Sequence, residues 1–213
     1  MMNSTRFLPL ILIALAGCNA QPGDGGKSVV KTTVAGETLL DGARIGGAFT
    51  LTDQDGKPRS WSDFDGQYRL VYFGYTYCPD VCPLDLQHIA QGLRLFEKAA
   101  PGRAAKVQPI FITVDPERDT PAVIKNYGAA FHPRLVGLTG TPEQIATVAK
   151  SFAVVYSKEQ PKGATDYLIG HTRTPYLFGP KGEPLVMLPV AGRDGAGQAT
   201  KEQIAAVLDR WVK

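Results

Sequence analysis

The sequence predicts an α/β domain built on a mixed sheet flanked by helices. Two runs rich in β-branched and aromatic residues, Tyr68 to Tyr75 and Val107 to Val114, read as buried strands. Between and after them, apolar residues recur at three- and four-residue spacing, as at Leu86, Ile89, Leu93 and Phe96, and read as amphipathic helices. The alternation closes on a hairpin and a last helix, which makes the sheet mixed. Composition agrees: of 213 residues, 44% are hydrophobic and 20% charged, as in ordinary globular chains. The net charge is +3 and the basic residues are scattered, so the chain has no nucleic-acid footprint.

Taken in order, the chain opens with Arg6 ahead of the short apolar run Phe7 to Gly17, a secretory signal pattern. That run is too short for a bilayer span, which takes about 20 residues. Leu15-Ala16-Gly17-Cys18 resembles a bacterial lipobox, so residues 1–17 are expected to be a signal peptide and Cys18 a lipidation site. Residues 18–40, small and polar over 19–28, read as a lipid-anchored flexible tether, with a short strand at Val29 to Val34. The domain is expected over 41–213. Phe49-Thr50-Leu51-Thr52 and the turn Asp53 to Lys57 make an N-terminal hairpin extension. Ser62 to Gly66 is a turn or a single helical turn, and the Tyr68 strand follows. Pro83 suits a first helical position, so the helix is placed from Pro83 and the cysteines in the turn before it.

After the second strand, Asp115 to Asp119 is a turn. Thr120-Pro121 caps a helix ending near Gly128. Leu135 to Leu138 is a short strand, and Thr141-Pro142 starts a helix running to Ala153. Val154 to Tyr156 is an edge strand. Tyr176-Leu177-Phe178 and Leu185-Val186-Met187 form a hairpin over the turn Gly179 to Gly182, and Thr200 to Val212 is the closing helix. This order of elements is that of a thioredoxin-like fold, an analogy that does not by itself give a function.

There are three cysteines, Cys18, Cys78 and Cys82. With Cys18 lipidated, only the close pair is left for chemistry. In an exported protein such a pair drifts to a disulfide unless kept reduced or metallated. Cys78 and Cys82 lie where helix N-terminal N–H groups favour thiolates. Two thiolates select soft ions, copper(I) or zinc. The same pair also suits a disulfide, or two inert buried thiols. A third donor must come from His88, His132 or His171. His88 lies six residues past Cys82 on the same helix and is turned away from it. His132 precedes Pro133 and helps end a helix. His171 stands before the Tyr176 strand, and in a thioredoxin-like fold that segment faces the cysteine loop. The plainer reading of His171 is a solvated loop histidine. Asp115 ends a strand on the edge where ligand sites gather, and either stands behind a metal site or shapes the Asp-Pro turn.

Three motifs in order resemble those of the Sco/SenC family, over about Phe49 to the C-terminus. They are Phe73-Gly74-Tyr75-Thr76-Tyr77-Cys78-Pro79-Asp80-Val81-Cys82-Pro83, then Thr113-Val114-Asp115-Pro116-Glu117-Arg118-Asp119-Thr120-Pro121, then Asp166-Tyr167-Leu168-Ile169-Gly170-His171-Thr172 followed by Tyr176-Leu177. The resemblance implies a chaperone that binds copper, as Cu(I) or Cu(II), through Cys78, Cys82 and His171. It implies delivery to the binuclear copper centre of cytochrome c oxidase, with the copper-bearing oxidase subunit as partner. Other copper chaperones or thiol reductants are further candidate partners. With the lipid anchor, the domain is expected on a bacterial envelope membrane, facing the periplasm or the cell exterior. Two positions depart from the pattern. Gly170 stands where the family has an aspartate, and Pro175 where it has an apolar residue. Thr174-Pro175 is a candidate cis peptide by its place.

The competing enzymatic reading is a thiol–disulfide oxidoreductase in which Cys78 and Cys82 are the redox-active pair and keep an oxidase subunit's cysteines reduced. Most such enzymes use Cys-x-x-Cys, and a reductase has no need of His171. Peroxidase chemistry fits poorly, because the chain has Thr76-x-Cys78 in place of the peroxiredoxin Thr-x-x-Cys. A redox or copper sensor is a further possibility.

Overall fold

The computed structural model describes residues 37–160, 162–163, 165–189 and 200–213. The expected signal peptide, Cys18 and the Val29 to Val34 strand lie outside the described residues. Among the described residues, no helix is long and apolar enough to cross a membrane.

The sheet is centred on β4 (Tyr68–Gly74) and β5 (Val107–Thr113), paired in parallel. All seven residues of β4 are buried, as in a strand covered on both faces, and this is why the segment reads as an almost unbroken apolar run. A parallel pair needs a long crossover, supplied here by α1 (Val81–Ala99) and the short α2 (Pro101–Ala104). A second crossover, α3 (Pro121–Phe131), leads to β6 (Val136–Thr139), parallel to β5.

The flanks are antiparallel. On one side β9 (Tyr176–Phe178) pairs with β4, β10 (Pro184–Met187) with β9, and β1 (Thr38–Leu39) with β10. On the other, β2 (Thr50–Asp53) pairs with β6, and β3 (Pro58–Ser60) with β2. The order β1-β10-β9-β4-β5-β6-β2-β3 is the mixed sheet that the sequence predicts. A separate ribbon joins β7 (Tyr156–Glu159) to β8 (Leu168–His171), and α4 (Pro142–Ser151) and α5 (Lys201–Trp211) complete the domain. Phe152 anchors an aromatic cluster, with ring centroids 5.3–6.5 Å from Phe49, Trp61, Phe73, Tyr176 and Phe178.

Helix starts follow the sequence closely. The side chains of Thr120, Thr141 and Thr200 accept from the backbone N–H groups of Val123, Gln144 and Gln203. Elsewhere the structure differs for physical reasons. The α1 helix begins at Val81, two residues before the expected start. Pro83 then occupies the third helical position, where an N–H would have no partner within the helix, so the ring interrupts nothing. The α3 helix runs past Gly128 to Phe131. Gly128 serves there as a packing site, since a Cβ would lie 3.3 Å from Leu135 Cδ2. The expected hairpin at Thr50 is present, and through β2 it is bonded into the main sheet. At the expected tether boundary, Thr38–Leu39 already pairs with Met187 and Val186. Glu37 is buried and receives Trp211 Nε1 at 3.3 Å. The Thr174–Pro175 bond is trans.

Candidate metal centre

The cysteine loop leaves the carboxyl end of β4 and is gripped by the turn that follows β5. Buried Asp119 accepts the Thr76 N–H at 3.0 Å, the Thr76 hydroxyl at 2.5 Å and the Thr113 hydroxyl at 2.5 Å. Burial raises the Asp119 carboxyl above its ordinary value against the pull of these bonds. Two residues on, the Cys78 N–H meets the Tyr75 carbonyl at 3.4 Å. Cys82 falls in the first turn of α1, where helix N–H groups lack internal acceptors. Its own N–H points at Cys78 Sγ, 3.4 Å away.

Both thiols are free, Cys78 half-buried and Cys82 fully buried. Their acidities are split. A hydrogen bond from the Cys82 thiol, with the N–H groups of Asp80 and Cys82 and the Tyr75 hydroxyl, pulls Cys78 down to about 5 despite its partial burial. Cys82, which donates that bond and is buried, is pushed well up. At neutral pH the pair is one thiolate and one thiol.

His171 arrives on β8, opposite Tyr156 of β7. Its Nε2 lies 3.0 Å from Cys82 Sγ. Its Nδ1 lies 2.9 Å from the Thr172 carbonyl, which can only accept, so Nδ1 carries the proton and the Nε2 lone pair faces Cys82. Burial lowers the His171 pKa and keeps the ring neutral. Tyr72 and Tyr75 stand edge-on to the imidazole, with centroids at 6.3 and 6.0 Å. The Tyr75 hydroxyl accepts the Ile169 N–H at 3.2 Å, tying β8 to the start of the cysteine loop.

Thus Cys82 and His171 meet directly, and Cys78 joins them through Cys82. Among the described residues, no three His, Cys, Asp or Glu side chains are gathered into a ready metal cage. The donors are nonetheless of one chemical kind: a thiolate, a thiol and an imidazole lone pair, a set suited to copper or zinc. The other expected candidates lie elsewhere. His88 sits farther along α1, partly exposed. His132 caps α3, buried against Glu97 with its Nε2 3.3 Å from Oε1. Asp115 is buried, taking Arg118 Nε at 2.5 Å and the Tyr167 hydroxyl at 2.7 Å, so it braces its own turn against the segment leading into β8.

Sequence reasoning overlooks a second layer. Arg173 forms a bidentate pair with buried Asp85, at 2.9 and 2.7 Å, and the Tyr72 hydroxyl donates to the same carboxylate at 2.9 Å. Asp85 is legible in principle, because it lies one turn past Cys82 on the same helix. Arg173 has no such signal. At Gly170 a Cβ would lie 2.5 Å from Glu159 Oε1, so the carboxylate of the neighbouring strand stands close to the place of a side chain there.

Known proteins share the sequence pattern and the fold. The SCO1/SenC family model matches residues 37–212. The chain is 48% identical over 146 residues to the mitochondrial SCO2 homolog of Bos taurus, a match covering 68% of this chain and 54% of that protein. The chain therefore spans about half the length of the curated relatives it matches. The copper-bound ScoI structure of Bradyrhizobium japonicum is similar at 43% identity and TM-score 0.67, over 79% of this chain and 99% of that one. A SCO1/SenC family lipoprotein from Bacillus anthracis is similar at 25% identity and TM-score 0.62, over 81% and 96%. BsSco, described as having a disulfide switch and as a member of the Sco family of cytochrome c oxidase assembly proteins, is similar at 27% identity and TM-score 0.58, over 77% and 91%.

Proposed function

The chain belongs to the SCO1/SenC family, and on that premise we propose that Cys78, Cys82 and His171 bind one copper ion as cargo. The ion is passed to the copper-bearing subunit of cytochrome c oxidase during its assembly. The observation that carries the reading is the 3.0 Å approach of His171 Nε2 to Cys82 Sγ, with Nδ1 held by a carbonyl. A histidine so held offers a neutral lone pair beside two sulfurs, and a metal that takes the place of the Cys82 proton has both donors at hand. Cys78 completes the set by turning its thiolate from the Cys82 N–H to the ion. The two thiolates suit copper(I), and the imidazole widens the site to copper(II). A Cys78–Cys82 disulfide would bind copper poorly, so delivery depends on redox state, with a thiol reductant or another copper chaperone as a further partner.

One observation favours a second reading. Cys78 is a half-exposed thiolate beside a buried thiol, the asymmetry that thiol–disulfide exchange uses in its attacking and resolving cysteines. Substitution of His171 separates the two. His171→Ala keeps the dithiol and removes the nitrogen donor. Under copper limitation, cells carrying it should show low oxidase activity, partly restored by added copper. Full activity without added copper would instead assign the protein to the reductase class.

We place the domain at the bacterial envelope, anchored through a lipid on Cys18. The support is Leu15-Ala16-Gly17-Cys18 after a short apolar run, and the likeness to a lipoprotein of the same family.

A further inference from the structure

We infer that Arg173 and Asp85 are positioning residues that fix the imidazole of His171 against Cys82. The inference rests on reading Cys82 and His171 as one site. Those two residues come from separate parts of the fold, the first turn of α1 and the last residue of β8. The Arg173–Asp85 pair spans the same gap one step behind them. Asp85 stands on α1 one turn past Cys82, and Arg173 follows His171 by two residues. The pair is bidentate, at 2.9 and 2.7 Å, with Asp85 side-chain exposure only 2% and that of Arg173 15%. A fork-to-carboxylate pair fixes orientation as well as distance, which a single ammonium contact does not.

The link to His171 is specific. The carbonyl that accepts the His171 Nδ1–H is that of Thr172, in the peptide unit joining Thr172 to Arg173. Fixing the Arg173 side chain on α1 therefore restrains the peptide plane that sets the tautomer of His171. The preceding peptide unit is held as well, because the Thr172 N–H donates to the Val155 carbonyl at 2.9 Å. Tyr72 ties the two layers together. Its hydroxyl donates to Asp85 at 2.9 Å, and its ring stands edge-on to His171. An outer group that orients a ligating histidine commonly changes metal affinity by about 10–100-fold when removed.

The test uses Arg173→Ala, Arg173→Lys and Asp85→Asn in the soluble domain beside wild type, with two readouts. In the reduced, metal-free protein, the ring ¹⁵N shifts of His171 report its tautomer. Wild type should show the Nδ1–H form alone, and Arg173→Ala and Asp85→Asn a mixture of both tautomers. In the copper(II) complex, competition titration should show roughly a tenfold loss for Arg173→Ala, with changed electron paramagnetic resonance parameters. Arg173→Lys should fall between, because it keeps the charge and loses the fork. A role confined to stability would lower the melting temperature and leave the ring shifts of the folded protein alone; that result overturns the inference. So does an unchanged tautomer in Asp85→Asn, which decides the matter if Arg173→Ala does not fold. Should wild type bind no copper, the copper reading fails by itself, and the ring shifts still decide the roles of Arg173 and Asp85.

Discussion

At the scale of single residues, the three side chains of the proposed site stand in different protonation states. Cys78 is drawn down to about 5 chiefly by the Cys82 thiol, and Cys82 is pushed up by that bond and by burial. The one remaining proton has two acceptors, Cys78 Sγ and His171 Nε2, and either contact would be given up if a metal took its place. This predicts a pH profile. A lowered thiol pKa means thiolate above it, so alkylation of reduced protein by iodoacetamide should rise through about pH 5 and level off by neutrality. Mass mapping should place the label on Cys78 and leave buried Cys82 unmodified in the native state. A profile still rising at pH 8, or label on Cys82 first, would contradict the assignment. The residues of the inner site are legible in the sequence because cysteine and histidine announce metal chemistry by type. Arg173 is not, since it reads as an ordinary surface charge until the fold brings it to α1, and Asp85 is marked only by its place one turn past Cys82.

At the scale of elements, the parts with strong local signals match expectation and the weak ones do not. Threonine caps followed by proline place the starts of α3 and α4, and a threonine cap that of α5. The long apolar runs place β4 and β5. The edge strand expected at Val154 to Tyr156 lies instead at Tyr156–Glu159 and pairs with β8 outside the main sheet, and the sequence marks this ribbon weakly for a physical reason. The burial of β7 runs from one half-buried residue to three exposed ones, so it lacks the alternation that marks a strand. The β8 strand has only four residues, Gly170 among them. Its register matters, because a slip by one residue would turn His171 away from Cys82. The packing of α1 on α5 gives a second test. Gly92 is a poor helix residue, but a Cβ there would lie 2.5 Å from Ile204 Cγ2 and 2.9 Å from the Lys201 carbonyl. Gly92→Ala gains about 1 kcal/mol of helix propensity. The overpacking it forces costs about 1–3 kcal/mol, more where the backbone of α5 must move. Urea denaturation should therefore show a net loss of stability, and a gain would mean that α5 yields freely.

At the scale of the whole molecule, the carboxyl ends of β4 and β5 present the cysteine loop and the Asp115–Asp119 turn side by side, the usual place for a site in a parallel sheet. The β7–β8 ribbon adds the histidine from outside that sheet. The fold class is legible from hydrophobic periodicity alone. The meeting of Cys82 with His171 is a long-range contact, which local pattern cannot carry and fold analogy could only suggest. The proposed membrane attachment rests on another part of the chain, Leu15-Ala16-Gly17-Cys18. Cys18→Ser should move the mature protein from the membrane fraction to the soluble envelope fraction on cell fractionation. Intact-mass analysis showing no lipid on Cys18 of native protein would remove the anchor from the account. The central claim is that two sulfurs and the His171 nitrogen share one copper ion. X-ray absorption at the copper edge, on reduced protein loaded anaerobically, tests it most directly. Wild type should show two sulfur neighbours and one imidazole nitrogen, and His171→Ala the sulfurs without the imidazole; identical spectra from the two proteins would contradict the claim.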